Sequence, residues 1–248
     1  MATVLSEIQK DIAVLTLNNG TTNSINPGLV RDLSETLDEI RNEAKGIVLC
    51  GGAKFFSIGL DLPSLIKCDR AEMSDFWYEF NHLILDLYTV SLPTVCALSG
   101  HAVAGGNILA LTCDYRFAGT DTKKIGLNEI KLGVPVPYLA DMLLRQIISE
   151  RSATEMLYSG DFMSFSEAKK IGLIDDIYST EAVIRKARKK AAGLSEFQTH
   201  AFSAIKSCRT EEIRDKYEKN FKSKNEIFLD CWFSESTQRI LKDASQKF

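Results

Sequence analysis

Two short stretches near the start of the chain, residues 4–8 and 12–17, alternate apolar and polar positions around the polar Gln9-Lys10-Asp11. That two-residue period predicts a pair of strands joined by a tight turn, a hairpin entering a sheet. The period then changes. After the turn-rich residues 18–28, Leu29, Leu33, Leu37 and Ile40 recur at helical spacing, and Gly46-Ile47-Val48-Leu49-Cys50 forms a buried apolar run ending at Gly51-Gly52. The rhythm repeats with a helix over 71–88, a strand at 94–98, a glycine-rich turn, a helix near 105–112 and a strand at 115–118. Strands that alternate with helices imply right-handed crossovers and a layered α/β architecture. Beyond residue 179 no strong strand remains. The rest reads as helices, one of them long and polar with Phe221, Phe228, Leu229 and Trp232 set among many charges. Such a helix cannot bury its aromatics alone, so it must dock on the core or on another subunit. A boundary near Ser195 divides an α/β core, 1–195, from a helical C-terminal region, 196–248.

Composition narrows the classes of function. The 248 residues are 45% hydrophobic and 25% charged, which suits one large globular domain with or without a small appendage. A net charge of -3 gives no overall basic field, so neither nucleic acid nor an anionic membrane is an expected partner, and an anionic ligand must be held locally. Six cysteines, Cys50, Cys68, Cys96, Cys113, Cys208 and Cys231, are scattered without CxxC pairs or nearby histidines. They read as reduced residues in a cytosolic setting and not as a disulfide framework or zinc site. The N-terminal residues lack a secretory pattern, no apolar run has membrane-spanning length, and the final Ser245-Gln246-Lys247-Phe248 does not match a peroxisomal address. The expectation is a cytoplasmic protein, or one of an organelle matrix if a targeting segment has been removed.

Three segments could carry chemistry. In Lys54-Phe55-Phe56-Ser57-Ile58-Gly59-Leu60-Asp61, between a strand and a helix start, Gly59 permits a tight bend that aims the following amides at a ligand oxygen. A glycine needed only for a turn explains the same pattern. Residues 99–110, SGHAVAGGNILA, lead small residues into an apolar helix whose first amides, Gly105 among them, lack helical acceptors. This segment lacks the spacing of a phosphate loop. In the third, Glu129 sits among Leu127, Ile130 and Leu132 in a stretch punctuated by Gly126, Gly133, Pro135 and Pro137. Desolvation there would raise its pKa and suit a proton-transferring base, whereas an exposed acid on an edge strand is the bland alternative.

Taken together, in this order and spacing, the three segments resemble the crotonase (enoyl-CoA hydratase/isomerase) superfamily along residues 3 to 180. Ile58-Gly59-Leu60-Asp61, Gly105-Gly106, Cys113-Asp114 and the run from Ser166 to Asp175 are similar to its motifs. The resemblance implies a spiral core of ββα units with a helical C-terminal region, trimers or dimers of trimers, an acyl-CoA thioester substrate, and no cofactor beyond the coenzyme A that the substrate carries. It also implies that the amides of Leu60 and Gly105 receive the thioester oxygen and that Glu129 transfers protons. Ser57, Ile58, Gly59, Asp61, Gly106, Ile108, Pro137 and Phe228 are the expected substrate-binding positions, and no metal is implied.

One departure decides between reactions. Hydratases of the family use two glutamates to hold a water, and the position of the first falls on Ile108, beside Asn107; neither can act as a general base. A single carboxylate suffices to move a double bond from the 3,4 to the 2,3 position, and Gly126-Leu127-Asn128-Glu129 is similar to the run in Δ3,Δ2-enoyl-CoA isomerases. The expectation is an enoyl-CoA isomerase. A specialised hydratase or acyl-CoA hydrolase is the runner-up, and a catalytically weak scaffold binding CoA or RNA is the reading from another class. Elsewhere, His101 is expected to be structural, His82 and His200 have no partner pattern, and Tyr138 lines a pocket or packs. The basic run 185–190 faces CoA phosphates or solvent, and Phe228 with Trp232, one helical turn apart, make packing contacts near the acyl end.

Overall fold

The computed structural model describes residues 2–119 and 122–246. Lys247 and Phe248 of the terminal tetrapeptide lie outside them. β1 (Val4–Gln9) and β2 (Ile12–Leu17) pair antiparallel through a two-residue turn in which Lys10 and Asp11 both have positive φ, 51° and 64°. Turns of that hand match the twist of a hairpin. Lys45 Nζ holds the Asp11 carboxylate at 2.7 Å and braces the bend. α1 (Pro27–Ile40) begins where the Asn26 side chain accepts the Leu29 amide and Pro27 presets φ; its buried stripe is Leu29, Val30, Leu33, Leu37 and Ile40, the spacing read above.

A three-part unit then recurs. β3 (Gly46–Cys50) runs into the short β4 (Phe55–Ser57), the one-turn α2 (Leu62–Leu65) and α3 (Arg70–Thr89), which an Asp69/Glu72 capping box starts. β5 (Thr94–Leu98) runs into β6 (His101–Val103) and α4 (Gly105–Leu111). β7 (Tyr115–Ala118) runs into β8 (Lys124–Gly126), a single 3₁₀ turn (Glu129–Leu132), α5 (Tyr138–Ile147) and α6 (Glu150–Ser159). β9 (Met163–Ser164), α7 (Phe165–Lys170) and β10 (Asp176–Ile177) close the spiral. The first strand of each unit joins a six-stranded sheet ordered β1-β2-β3-β5-β7-β10, and the second joins a four-stranded sheet ordered β4-β6-β8-β9. β4, β6 and β8 are mutually parallel, so their C-terminal ends share one edge.

Side chains of β3 divide between two cores. Ile47 and Leu49 join the main core, while Val48 and Cys50 face α8 (Val183–Ser195) on the other side of the sheet. Burial on both faces is why β3 reads as an unbroken apolar run. α9 (Thr199–Trp232) then packs along α3 and α5 of the same chain, and α10 (Glu235–Ser245) packs against α2 and the 3₁₀ turn. Phe228, Leu229 and Trp232 are buried by this docking. No helix among the described residues is long and apolar enough to cross a membrane.

Candidate active site

The three chemically suggestive segments leave the C-terminal ends of the three adjacent parallel strands: Ile58-Leu60 follows β4, Ala104-Gly105 follows β6, and Asn128-Glu129 follows β8. Open α/β sheets place ligands at such edges, where side chains and amides from separate units converge. Leu60, Gly105 and Glu129 all line one cavity of about 500 Å³, together with Ile58, Ile108, Pro137 and Phe228.

Backbone geometry fixes the two amides. Gly59 has φ +92°, and a Cβ there would lie 2.9 Å from the Gly105 nitrogen and 2.8 Å from Ala104 Cβ, so only glycine lets the β4 and β6 exits approach this closely. The Gly59 carbonyl accepts the Ile25 amide and the Asp61 amide donates to Ile25 O, which holds the Leu60 peptide between two anchored neighbours. Ala104 adopts φ 49°, ψ -126°, a region that costs a non-glycine residue about 1–3 kcal/mol. Its amide donates to Gly126 O on β8, and its carbonyl accepts the Ile108 amide, so the kink is held from both sides. Among the described residues neither the Leu60 nor the Gly105 amide donates to a protein acceptor.

Glu129 opens the 3₁₀ turn and is 7% exposed, with Oε2 buried and unpartnered among the described residues. Burial pushes its carboxyl from the ordinary 4.5 up to about 7, against a weaker downward pull from backbone hydrogen bonding at Glu129 and Asn128. It is the one acidic side chain among the described residues lining the cavity. Ile108, on the first turn of α4, presents an alkyl wall to the same space and is itself 2% exposed. An acid near neutrality beside two free amides can take up and return a proton while the amides hold developing negative charge.

A family model described as enoyl-CoA hydratase/isomerase matches residues 7–245. The chain belongs to that family. It is 30% identical over 236 residues to the mouse protein named "Enoyl-CoA delta isomerase 1, mitochondrial", covering 93% of this chain and 81% of that one. It is 27% identical over 244 residues to a "Probable enoyl-CoA hydratase" of Bacillus subtilis, covering 97% and 94%. The crystal structure of human mitochondrial delta3-delta2-enoyl-CoA isomerase superposes with a TM-score of 0.95 at 27% identity, covering 99% of this chain and 97% of that one. The architecture is therefore the crotonase fold with a helical C-terminal region, and the protein is an enzyme of the enoyl-CoA hydratase/isomerase family.

Within this family member, four positions expected to bind substrate stand behind the cavity wall instead of on it. Ser57 is fully buried; its hydroxyl donates to Asn23 O at 2.7 Å and accepts the Gly59 amide at 3.1 Å. Gly59 supplies the bend just described. Asp61 caps α2 through the Ser64 amide and accepts the Ser24 hydroxyl at 3.3 Å. Gly106 lies so close to β4 that a Cβ would sit 2.3 Å from Ser57 O. All four shape the wall. The exposed-edge reading of Glu129 also gives way, since the residue is the one buried member of a 3₁₀ turn.

His101 is structural: its Nδ1 accepts the Lys124 amide at 2.9 Å, tying β6 to β8, and burial with Lys123, Lys124 and Lys54 nearby lowers its pKa. Tyr138 faces a neighbouring groove beneath Lys224. In the basic run on α8, Lys186 lies over Tyr178 and Lys190 over Tyr115 of β7, and no residue of that helix lines the catalytic cavity. Sequence reading missed Trp77, Phe80 and Phe162 as cavity walls, and Trp232, expected to pack near the acyl end, lines the cavity itself. Trp77 and Phe80 carried a signal, bulky aromatics three apart on one helix face, which matches core packing equally well.

Proposed function

We propose that the protein shifts the double bond of a 3-enoyl-CoA to the 2-enoyl position, with Glu129 as its single proton-transferring group. The observation that carries this reading is the buried Glu129 carboxyl, its Oε2 unpartnered among the described residues, in the cavity that Ile108 also lines, where a water-holding pair of acids would need a second carboxylate. As carboxylate, Glu129 removes a proton from C2 of the thioester. The Leu60 and Gly105 amides donate to the thioester oxygen as charge moves onto it, an effect worth about 10²–10³ in rate per donor. The electron pair conjugates through the former 3,4 bond, and the same carboxyl returns its proton at C4. One group serves both halves, so the acid must be neutral and ionised by turns, which a pKa of about 7 favours. The apolar walls exclude the water that would otherwise quench the dienolate.

No cofactor beyond the CoA of the substrate is required by this chemistry. Lys54 at the cavity suits the anionic end of CoA. Free thiols at Cys50, Cys96 and Cys113, all buried, fit a reducing compartment, and the mitochondrial relatives make an organelle matrix as suitable as the cytoplasm. A homotrimer or hexamer is the expected assembly. Hydration is the second reading, favoured by the Bacillus relative's name.

The test is to incubate the protein in D₂O with a 3-enoyl-CoA and, separately, a 2-enoyl-CoA. The wild type is expected to conjugate the first and leave the second unhydrated, and Glu129→Gln to lose about a thousandfold in kcat/KM, within the range of a general base. An unchanged 3-enoyl-CoA with hydration or cleavage of the 2-enoyl-CoA overturns the isomerase reading.

A further inference from the structure

The catalytic cavity has a neighbour. A groove of about 490 Å³ lies between α5, α6 and α9, and Trp77, Val134, Pro137 and Phe228 line both spaces. The two are therefore separated by a wall about one layer of side chains thick. At its centre the Trp77 and Phe228 rings lie parallel, 6° apart, with centroids at 3.5 Å, and each residue is 2% exposed. Beyond the wall the groove is lined by Leu157, Ile227, Tyr138 and Val136 and also by the charged Asp141, Arg145, Glu150 and Lys224, and its far side opens to solvent at Ile227 and Tyr158. A groove that abuts the catalytic cavity across such a wall, apolar along part of its lining and solvent-open at its far end, has the shape of a channel for a longer alkyl chain.

We propose that the Trp77–Phe228 stack is a closed partition that sets the acyl chain length this enzyme accepts, and that the outer groove is the track a longer chain would follow if the partition were opened. The inference rests on the acyl-CoA reading above. The stack belongs to α3 and to α9, so chain length is set where α9 docks on α3. With the wall in place, the tail of the acyl group ends against Trp77 and Phe228. Removing the Phe228 ring joins the two spaces, and each further methylene then gains burial that the wild type denies it.

The experiment compares 3-hexenoyl-, 3-decenoyl- and 3-hexadecenoyl-CoA as substrates. It also compares the matching saturated acyl-CoAs as ligands followed by intrinsic fluorescence, since both tryptophans of the chain, Trp77 and Trp232, line the cavity. In Phe228→Ala the ratio of hexadecenoyl to hexenoyl kcat/KM is expected to rise by about tenfold or more over wild type. Phe228→Leu, which keeps more of the buried volume, is expected to give a smaller rise and serves if the alanine variant does not fold. Adding Ile227→Arg, a charge in the groove at a half-exposed position, is expected to cancel the gain on the long chain. If the wild type isomerises 3-hexenoyl-CoA but the length profile is unchanged in both Phe228 variants, the partition is overturned and the isomerase reading stands. If the wild type isomerises nothing, that reading falls, and the length dependence of saturated acyl-CoA binding still decides the partition: the same tenfold shift in relative affinity supports it, and an unchanged profile overturns it.

Discussion

Between pH about 4.5 and about 7, the folded protein keeps a proton on Glu129 that the unfolded chain releases. Stability falls with rising pH wherever the native state binds more protons than the unfolded state, so this group costs the fold on the order of 3 kcal/mol across that window and a constant amount above it. Glu129→Gln removes the cost. Denaturant unfolding is expected to find the variant more stable than wild type at pH 8 and much closer to it at pH 5; an equal difference at both pH values would mean that the carboxyl is solvated. In the proposed reaction activity runs the other way, because only the carboxylate form of Glu129 would remove the C2 proton, and kcat/KM is expected to climb to a plateau through an apparent pKa near 7. The apolar company of Glu129 was legible along the chain, but only in part. Leu127 is fully buried and Leu132 is half-buried, whereas Ile130 is 53% exposed. Leu60, Ile108 and Val134 complete the cavity around it, and no local window of sequence contains that information.

Helix α9 reaches the core through a charge that its sequence gives no reason to bury. Lys206 is 5% exposed, and its Nζ donates to Leu92 O and Asp114 Oδ2, both at 2.9 Å. The same Asp114 oxygen accepts the Thr94 amide at 2.8 Å, so one carboxylate fastens the start of β5, the entry to β7 and the C-terminal helix. This gives the Cys113-Asp114 motif a mechanical role that a motif match cannot state. Lys206→Met is expected to destabilise the protein by about 2 kcal/mol, through loss of charge-assisted hydrogen bonds to Leu92 O and to an Asp114 carboxylate that is partly exposed and keeps its Thr94 partners. It is also expected to raise KM more than it lowers kcat, because α9 supplies Phe228 and Trp232 to the cavity while Glu129 and the two amides lie on other elements. Equal losses in both parameters would count against that division. The long buried strands β3 and β5 were readable as apolar runs. The three-residue β4, β6 and β8, whose ends carry the site, are too short to show a period, and they are held by parallel pairing with segments 23 to 46 residues away.

At the scale of the whole molecule, the exits of β4, β6 and β8, helix α3, and α9 and α10 through Phe228, Trp232 and Ala244 all contribute to the catalytic cavity. Apolar side chains nonetheless remain on the outside, with Phe197 65% and Ile205 63% exposed at the start of the C-terminal helical region. A net charge of only -3 does little to keep such surfaces apart. For the homotrimer or hexamer proposed above, light scattering is expected to give a mass near three times 27.6 kDa, or twice that for a pair of trimers. Assembly and catalysis should then separate on dilution. If each cavity is complete within its own subunit, kcat/KM per chain stays constant as the protein is diluted through the concentration at which the scattering mass falls. A drop in specific activity that tracks the loss of mass would mean instead that a neighbouring subunit holds part of the site, most directly by bracing α9 against α3 and with it the Trp77–Phe228 wall.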